Sequence, residues 1–343
     1  MSLEQSQFTK EELIAYIFRH YGQKMTSVRK LPLGSANCFQ LSDGKASYFC
    51  KEFQSGIAPH EVAEEAALVE KLAARGIPVA RFLPTVEGAW VSDYRGHAVC
   101  LQEFMEGTSY GYDDFPPRLM PVLAQTLGQL HTAMRDMALS ARRDADWVSA
   151  YSPEKSAAQY ESLLSAAERM RDDPEYPRIV ADLRYKKELA YRCDGYRSYY
   201  EGITYCPTHG DFQGCQTVWE GEHLRAVIDF SAAKILPAVW EVMRSYVQSS
   251  CACRATAVID VAGMQAYVRE YLKYAPLTVR DLRAMPYVYL FQLARSKFGY
   301  PQYLQSDSPD RVGLLHFAYW RTQMCREVES RAEEIASAMC ELL

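Results

Sequence analysis

Two short motifs in the second half of the sequence place carboxylates where they could act together. His209-Gly210-Asp211 opens a segment of short strands and turns, and Ile228-Asp229-Phe230 closes it across a hairpin predicted at Glu220-Gly221-Glu222. Phosphoryl transfer needs such a pair: one carboxylate accepts the proton of an attacking hydroxyl, and the other holds Mg²⁺ on the phosphates. Asp211 suits the first role and Asp229 the second. Alone, Asp211 would be more typical of a turn or a helix cap, so the prediction depends on the pair.

A lysine and a glutamate in the first part of the chain occupy positions usually given to apolar side chains. Lys51 lies between two phenylalanines on one face of a predicted strand. Glu65 lies in the apolar stripe of a predicted helix, three residues after Val62 and four before Val69. A strand lysine that reaches solvent and a solvated helix glutamate remain the alternatives for either residue taken alone.

The elements that must position these residues fall into two parts. The first part is small and rich in strands, and Asp-Gly and Arg-Gly steps between alternating segments predict hairpins. The second part is mostly helical and holds the short strands around the two aspartates. The predicted order is a helix at 7–22, strands within Ser27–Phe53, a helix from Pro59 to the stop signals Gly76 and Pro78, strands at Trp90–Tyr94 and His97–Phe104, helices at Pro116–Tyr200, strands and turns at Thr204–Phe230, and helices to Leu343.

Composition excludes several classes of protein. The net charge of −5, with no block of Lys or Arg, argues against binding to nucleic acid or to anionic lipid. No apolar stretch approaches membrane-spanning length, and the first residues lack an apolar signal core, so we expect a reduced, cytoplasmic protein with no membrane partner. Cys251 and Cys253 have no second pair at zinc-finger spacing, which favours ordinary buried thiols.

The motifs resemble the aminoglycoside phosphotransferase and choline kinase-like family, which includes spore-coat-type members. The signature of that family is His-Gly-Asp, four residues, Asn, and then Ile-Asp-Phe or a variant. The resemblance implies an α+β, bilobal, protein-kinase-like fold with a five-stranded antiparallel sheet in a small N-terminal lobe and a larger, mostly helical C-terminal lobe. It places the nucleotide-binding lobe at residues 1–104 and the helical lobe, with the catalytic and metal loops, at residues 105–343.

The resemblance also assigns roles to the residues of the two motifs. Asp211 occupies the position of the catalytic base, and Asp229 occupies the position of the metal ligand. Gln216 stands where the family has a metal-binding Asn; its amide oxygen can also bind a hard cation, but it reaches one methylene further. His209 would support the loop rather than react.

Further positions follow from the same resemblance. Lys51 would contact the α- and β-phosphates, with Glu65 holding its ammonium group. The turn containing Gly34 and Ser35 would cover the phosphates with its main-chain N–H groups. The main chain of Glu103 and Met105 would bind adenine at the hinge between the lobes.

Two residues near the motifs are predicted to be structural. Glu241, in Pro-Ala-Val-Trp-Glu, lies where the family ties the next helix to the catalytic loop. His131, in Leu-His-Thr, matches a family position near that loop, and a hydrogen-bonded core histidine is the favoured interpretation.

The functional expectation is an ATP- and Mg²⁺-dependent phosphotransferase acting on a hydroxyl of a small molecule. Aminoglycoside, amino alcohol, sugar and homoserine-like acceptors stay open, and GTP is a possible alternative donor. The second hypothesis is an impaired pseudokinase with a structural role, prompted by Gln216. A monomer or a homodimer is expected, with the last helix packed internally.

Overall fold

An antiparallel sheet forms the centre of the N-terminal part. The computed structural model describes residues 4–32, 36–137, 148–307 and 309–343. The strands of this sheet are β1 (Ser27–Leu31), β2 (Asn37–Ser42), β3 (Ser47–Glu52), β4 (Phe82–Leu83), β5 (Ser92–Tyr94) and β6 (His97–Glu103). Their order is β1-β2-β3-β6-β4, and β5 also pairs with β6.

The sheet has six strands within the described residues, so the prediction of five is wrong by one strand. The additional strand is β4, whose residues Phe82 and Leu83 pair with Gln102 and Leu101. Two residues are too few to produce a recognisable alternation of apolar and polar side chains. The predicted hairpin at Arg95-Gly96 is present, and both residues have positive φ (54° and 84°), as a two-residue turn between twisted strands requires.

Helices cover both faces of this sheet and account for the direction of Lys51. Helix α1 (Lys10–Tyr21) starts at a capping box formed by Thr9 and Glu12, and its apolar side packs with Cys50 of β3. Helix α2 (Pro59–Ala74) covers the opposite face, where it packs with Cys100 of β6. Lys51 is opposite Cys100 in the strand register, so its side chain lies on the α2 face of the sheet.

The C-terminal part is mostly helical and contains two small antiparallel sheets. One contains β7 (Thr108–Ser109), β9 (Thr217–Glu220) and β10 (His223–Val227), and the other contains β8 (Tyr205–Thr208) and β11 (Lys234–Pro237). Its helices are α3 (Met120–Met134), α4 (Pro153–Ala167), α5 (Tyr176–Arg192), α6 (Ala238–Ser249), α7 (Cys251–Thr256), α8 (Val261–Leu272), α9 (Val279–Arg295), α10 (Tyr300–Gln305) and α11 (Arg311–Cys340).

The β9–β10 hairpin pairs both with the first strand of the C-terminal part and with the N-terminal part itself. Strand β7, directly after the segment that leaves β6, pairs with β9 through Thr108 opposite Trp219. On β10, Val227 donates its N–H to the carbonyl of Pro78 at 2.8 Å, in the segment that follows α2. A side chain at Gly107 would place its Cβ 2.6 Å from the carbonyl oxygen of Trp219, so this close approach requires glycine.

The last helix packs inside the chain, as predicted. Ile335, Ala336 and Met339 of α11 are fully buried, and Leu342 packs against the core that contains Ile335 and Met339. In the parts of the chain that the structure describes, no helix combines the length and the apolar character that crossing a membrane would require.

Candidate active site

One buried glutamate fixes the loop that carries Asp211. Glu241, in the first turn of α6, has no exposed surface. Its carboxylate accepts hydrogen bonds from the N–H groups of His209 (3.0 Å) and Gly210 (2.6 Å), and a longer one from Phe212 (3.4 Å). The ring Nε2 of His131 is the fourth partner, at 2.8 Å. A single carboxylate thus accepts hydrogen bonds from three main-chain N–H groups of one loop, which would otherwise be buried without partners.

The Glu241–His131 contact is an ion pair. Burial would raise the pKa of Glu241, but the hydrogen bond from His131 and the charge of that residue lower it overall. Burial would lower the pKa of His131, yet Cys206, Tyr271 and Glu241 raise it well above its ordinary value. Both ring nitrogens of His131 are bonded, to Tyr271 Oη (2.8 Å) and to Glu241. The predicted structural roles of both residues agree with these contacts.

His209 links the loop of Asp211 to the strand that leads to Asp229. The imidazole is fully buried, and its Nε2 lies 2.9 Å from the carbonyl oxygen of Ile228. The N–H of Asp211 donates to Nδ1 of the same ring at 3.3 Å. Because Nδ1 accepts, the proton of a neutral ring lies on Nε2 and is donated to Ile228. His209 therefore uses both nitrogens in holding main chain and has neither left for proton transfer.

The backbone between His209 and Asp211 leaves room only for glycine. Gly210 has φ of 81°, and a Cβ there would lie 2.0 Å from the carbonyl oxygen of Ala232. Both the left-handed conformation and the close contact exclude a larger residue. The loop is thus pressed against the segment that follows Asp229, which brings the two aspartates into one site.

Both oxygens of the Asp211 carboxylate have a side-chain partner. Gln216 donates its Nε2–H to Oδ2 at 2.8 Å, and the guanidinium of Arg244 forms an ion pair with Oδ1. About a third of the Asp211 side chain is exposed (32%), against 13% for Arg244. The carboxylate is therefore held in one orientation with part of its surface open to a cleft.

Asp229 pairs with the lysine of the N-terminal sheet. Lys51 Nζ donates to Asp229 Oδ1 at 3.0 Å. Burial would raise the pKa of Asp229, but Lys51 holds it below its ordinary value; burial would lower the pKa of Lys51, but Asp229 and then Glu65 raise it. Glu65 is itself buried on α2, at 3% exposure. Asp229 has φ 61° and ψ 68°, a left-handed conformation that is uncommon for a residue with a side chain and is often found at functional sites.

Hard oxygen donors for a divalent cation lie next to one another here. The N–H of Ile228 donates to the main-chain carbonyl of Gln216 at 3.0 Å, which holds Gln216 beside Asp229. The carboxylate of Asp229 and the amide oxygen of Gln216 are donor types that Mg²⁺ accepts. These two donor types fit the predicted cation, although the described residues contain no cluster of three or more His, Cys, Asp or Glu side chains that could hold a metal.

Comparison with known proteins agrees with this geometry. A family model described as the phosphotransferase enzyme family matches residues 27–278, more than two thirds of the chain. The chain belongs to the phosphotransferase enzyme family. The resemblance predicted from the sequence is thereby confirmed.

Three solved structures show the fold that this member of the phosphotransferase enzyme family shares. They are a spectinomycin phosphotransferase with ADP and spectinomycin (15% identity, 98% of this chain and 100% of that chain covered, TM-score 0.66), an amicoumacin kinase with AMP-PNP and Ca²⁺ (15%, 94% and 94%, 0.63), and a microcompartment-associated aminopropanol kinase (16%, 96% and 94%, 0.59). Comparison with curated proteins gave no match. The predicted protein-kinase-like, α+β fold is confirmed.

Some of the site residues predicted from the sequence lie together in this phosphotransferase-family site, and others lie outside it. Lys51, Asp211, Gln216 and Asp229 lie together, with Glu65 behind Lys51. Glu103 and Met105 lie at the end of β6 and just beyond it, and the Glu103 side chain accepts the N–H of Arg81 at 3.1 Å. Gly34 and Ser35 lie outside the described residues.

Arg244 is the site residue that sequence reasoning missed. It follows Glu241 on α6 by three residues, and Trp240, Arg244 and Gln248 recur every four residues on one side of that helix. This spacing was visible in the sequence, but the contact with Asp211 depends on how the loop folds against α6. In this phosphotransferase-family chain, the helix that anchors the loop also orients its carboxylate.

Proposed function

We propose that the chain is an ATP-dependent kinase of small molecules, which transfers the γ-phosphate to a hydroxyl group. The observation that supports this best is the joining of Lys51 to Asp229, next to the Asp211–Gln216 contact, by residues from distant parts of the chain. Membership of the phosphotransferase enzyme family and the ADP and AMP-PNP held by structures of the same fold add support. We assign the nucleotide to residues 1–104 and the acceptor to residues 105–343.

In the proposed mechanism, one set of residues positions the nucleotide and another residue accepts the proton of the acceptor hydroxyl. Lys51, held by Glu65, would bind the α- and β-phosphates, and the main chain at Glu103 and Met105 would bind adenine. Asp229 and Gln216 would hold Mg²⁺, which neutralises charge on the phosphates when it is bound. The loop of Gly34 and Ser35 would cover the phosphates.

Asp211 would align the acceptor hydroxyl and accept its proton. Each carboxylate oxygen can accept more than one hydrogen bond, so Asp211 can receive the hydroxyl while it keeps its contacts with Arg244 and Gln216. Those two contacts fix the carboxylate against rotation, which preserves the in-line approach to phosphorus. His209 and Glu241 would act only by holding the loop in place.

Nucleotide binding is the first test. Mg·ATP at about one hundred times its Kd should add about 2.7 kcal/mol to the free energy of unfolding, and the thermal midpoint should rise by several degrees. Asp229→Ala should abolish the metal-dependent part of the rise, whereas Asp211→Asn should retain it. Absence of any shift at saturating nucleotide would favour the pseudokinase instead; repeating the measurement with GTP tests the alternative donor.

Gln216→Asn tests whether glutamine is adapted to this site. We expect the change to lower turnover about tenfold, because the shorter side chain loses the 2.8 Å hydrogen bond to Asp211, and a bond to a charged group contributes about 1.5–3 kcal/mol. Steady-state kinetics with Mg²⁺ is the measurement. A strong gain in turnover would show that Gln216 impairs the enzyme. Family membership and the kinases of the same fold give no support to a purely structural role.

A further inference from the structure

A large cleft beside Asp211 is lined by residues of the C-terminal part. Its volume is about 760 Å³, and its lining runs from Tyr112 to Arg321, with no residue from the N-terminal sheet. Asp211 and Gly210 form part of its wall. A molecule in this cleft would contact Asp211 without contacting Lys51, which we assign to the nucleotide, so we assign the acceptor to the cleft.

The wall of this cleft is strongly basic. Asp211 is the one carboxylate among the lining residues in the described part of the chain. Six cationic side chains face the same space: Lys155, Lys234, Arg244, Arg295, Lys297 and Arg321. The whole chain, by contrast, has a net charge of −5. The positive charge is therefore concentrated at the cleft and does not follow from overall composition.

Four of these six cations have no anionic partner among the described residues: Lys155, Lys234, Lys297 and Arg321. Arg244 pairs with Asp211, and Lys297 bonds to the neutral amide of Gln159. Within the described residues, neither Lys155 nor Lys234 makes an ion pair. A ligand with the opposite charge would supply what these groups lack.

Among these cations, Arg321 indicates an anionic ligand most directly. Its Nε is buried and has no hydrogen-bond partner among the described residues, and its guanidinium lies 5.7 Å from the ring centroid of Phe317. Burial lowers the pKa of Arg321, and Arg244 lowers it further; burial and Arg295 lower the pKa of Lys297. Gathering cations in a partly buried wall costs free energy that a bound anion would offset.

Other features of the wall suit a hydroxylated ligand. The Oε1 of Gln248 is buried, lacks a partner among the described residues and can accept a hydroxyl hydrogen. Trp240 lies one turn before Arg244, and Tyr151 and Phe317 add further aromatic surface. The carboxylate of Asp113, outside this lining, accepts from Arg254 at 2.9 Å, so it is already paired.

From these contacts we propose that the acceptor is a hydroxyl compound carrying a carboxylate or a phosphate group. The inference rests on the proposed kinase function and narrows its acceptor. A polycationic aminoglycoside or a simple amino alcohol would meet like charges in this cleft, where Asp211 is the single carboxylate among the described lining residues. The anionic group would bind Arg321, Lys297 and their neighbours, and its hydroxyl would face Asp211.

Matched ligands that differ in charge test this proposal. Thermal midpoints are measured in the presence of Mg·AMP-PNP with sorbitol and gluconate, with glucose and glucose 6-phosphate, and with glucosamine and kanamycin. We expect gluconate, glucose 6-phosphate or both to raise the midpoint above the neutral member of the pair. The first pair shows whether the cleft binds a carboxylate, and the second pair shows whether it binds a phosphate. Phosphorylation of the same compounds is followed by ADP release, with kcat/KM at least tenfold higher for the anion that binds.

Variants then locate the binding. Arg321→Gln and Lys297→Gln should each raise the apparent Kd of the anion about tenfold or more. Lys297 is nearer the surface, so its variant provides the test if Arg321→Gln does not fold. Arg269→Gln removes an exposed charge from α8 outside the cleft and should change nothing. Binding of glucosamine or kanamycin in preference to the anions, no response to either anion, or an anion response unaffected by both cleft variants would overturn the proposal. The shift produced by Mg·AMP-PNP itself reports separately on the kinase function.

Discussion

Replacing Asp211 with asparagine is expected to lower kcat by about 10²- to 10⁴-fold, the usual contribution of a positioned general base. The amide cannot accept the hydroxyl proton, and the guanidinium of Arg244 loses its charged partner. The change is nearly isosteric, so the hydrogen bonds of Glu241 to the loop should remain. The measurement is phosphoryl transfer to the best acceptor under saturating Mg·ATP.

The control for this variant is the nucleotide response. Because Asp229 and Lys51 are unchanged, the midpoint shift with Mg·ATP should equal that of the wild type. Arg244→Lys gives a second comparison, since it keeps the charge but loses the fixed fork of the guanidinium; it should reduce kcat less than Asp211→Asn does. Retention of more than a tenth of the wild-type rate by Asp211→Asn would exclude Asp211 as the base.

Replacing Glu241 with glutamine is expected to lower the free energy of unfolding by about 3–5 kcal/mol, as is typical when one member of a buried ion pair is removed. Glutamine presents one acceptor oxygen and an NH₂ group where the carboxylate accepts four hydrogen bonds. The charge of His131 would also be left buried without its anion. Denaturation in urea measures the loss, and activity should fall with it because the loop of Asp211 loses its anchor.

Glu222→Gln is the matched control for that measurement. Glu222 lies in the turn between β9 and β10 and forms an exposed pair with Arg118 at 3.3 Å. Exposed pairs of this kind contribute about 0–1 kcal/mol, so this variant should be close to wild type in stability. A loss at Glu241 no greater than the loss at Glu222 would contradict the role of the buried carboxylate.

The Glu241–His131 pair also gives stability a predictable dependence on pH. The pKa of Glu241 is lowered, so its contribution is complete above the ordinary value of 4.5 and is lost as the pH falls through the lower folded value. The pKa of His131 is raised, so its contribution is complete below 6.5 and is lost as the pH rises through the folded value. Glu241→Gln should therefore flatten the acid limb of the stability profile.

The sequence could predict those features of the fold and the site that depend on residues close together along the chain. The His-Gly-Asp and Ile-Asp-Phe motifs, and the apolar faces around Lys51 and Glu65, are local patterns, and the helices and hairpins that carry them follow from periodicity and turn residues. The two-residue strand β4 carries too short a pattern to be recognised. Arg244 looked like any helix residue, because its partner Asp211 lies 33 positions away and reaches it only in the folded loop.

The acceptor cleft was hidden for a related reason. Its cations come from α4, β11, α6, α9 with the residues after it, and α11, and none of these segments contains a block of Lys or Arg. The positive charge arises because the fold brings together side chains that lie between Lys155 and Arg321 in the sequence.

Two main-chain pairings of the β9–β10 hairpin, one with the strand that follows the N-terminal sheet and one with the segment after α2, affect how the lobes can move. One lies at Thr108 and Trp219, and the other at Pro78 and Val227, two residues before Asp229. A lobe held at two points can rotate about the line through them but cannot translate. Asp229 follows one of these points, and Asp211 is fixed to α6 through Glu241. We therefore expect a rotation to change the distance between the γ-phosphorus and the acceptor oxygen more than it changes the contacts with the nucleotide.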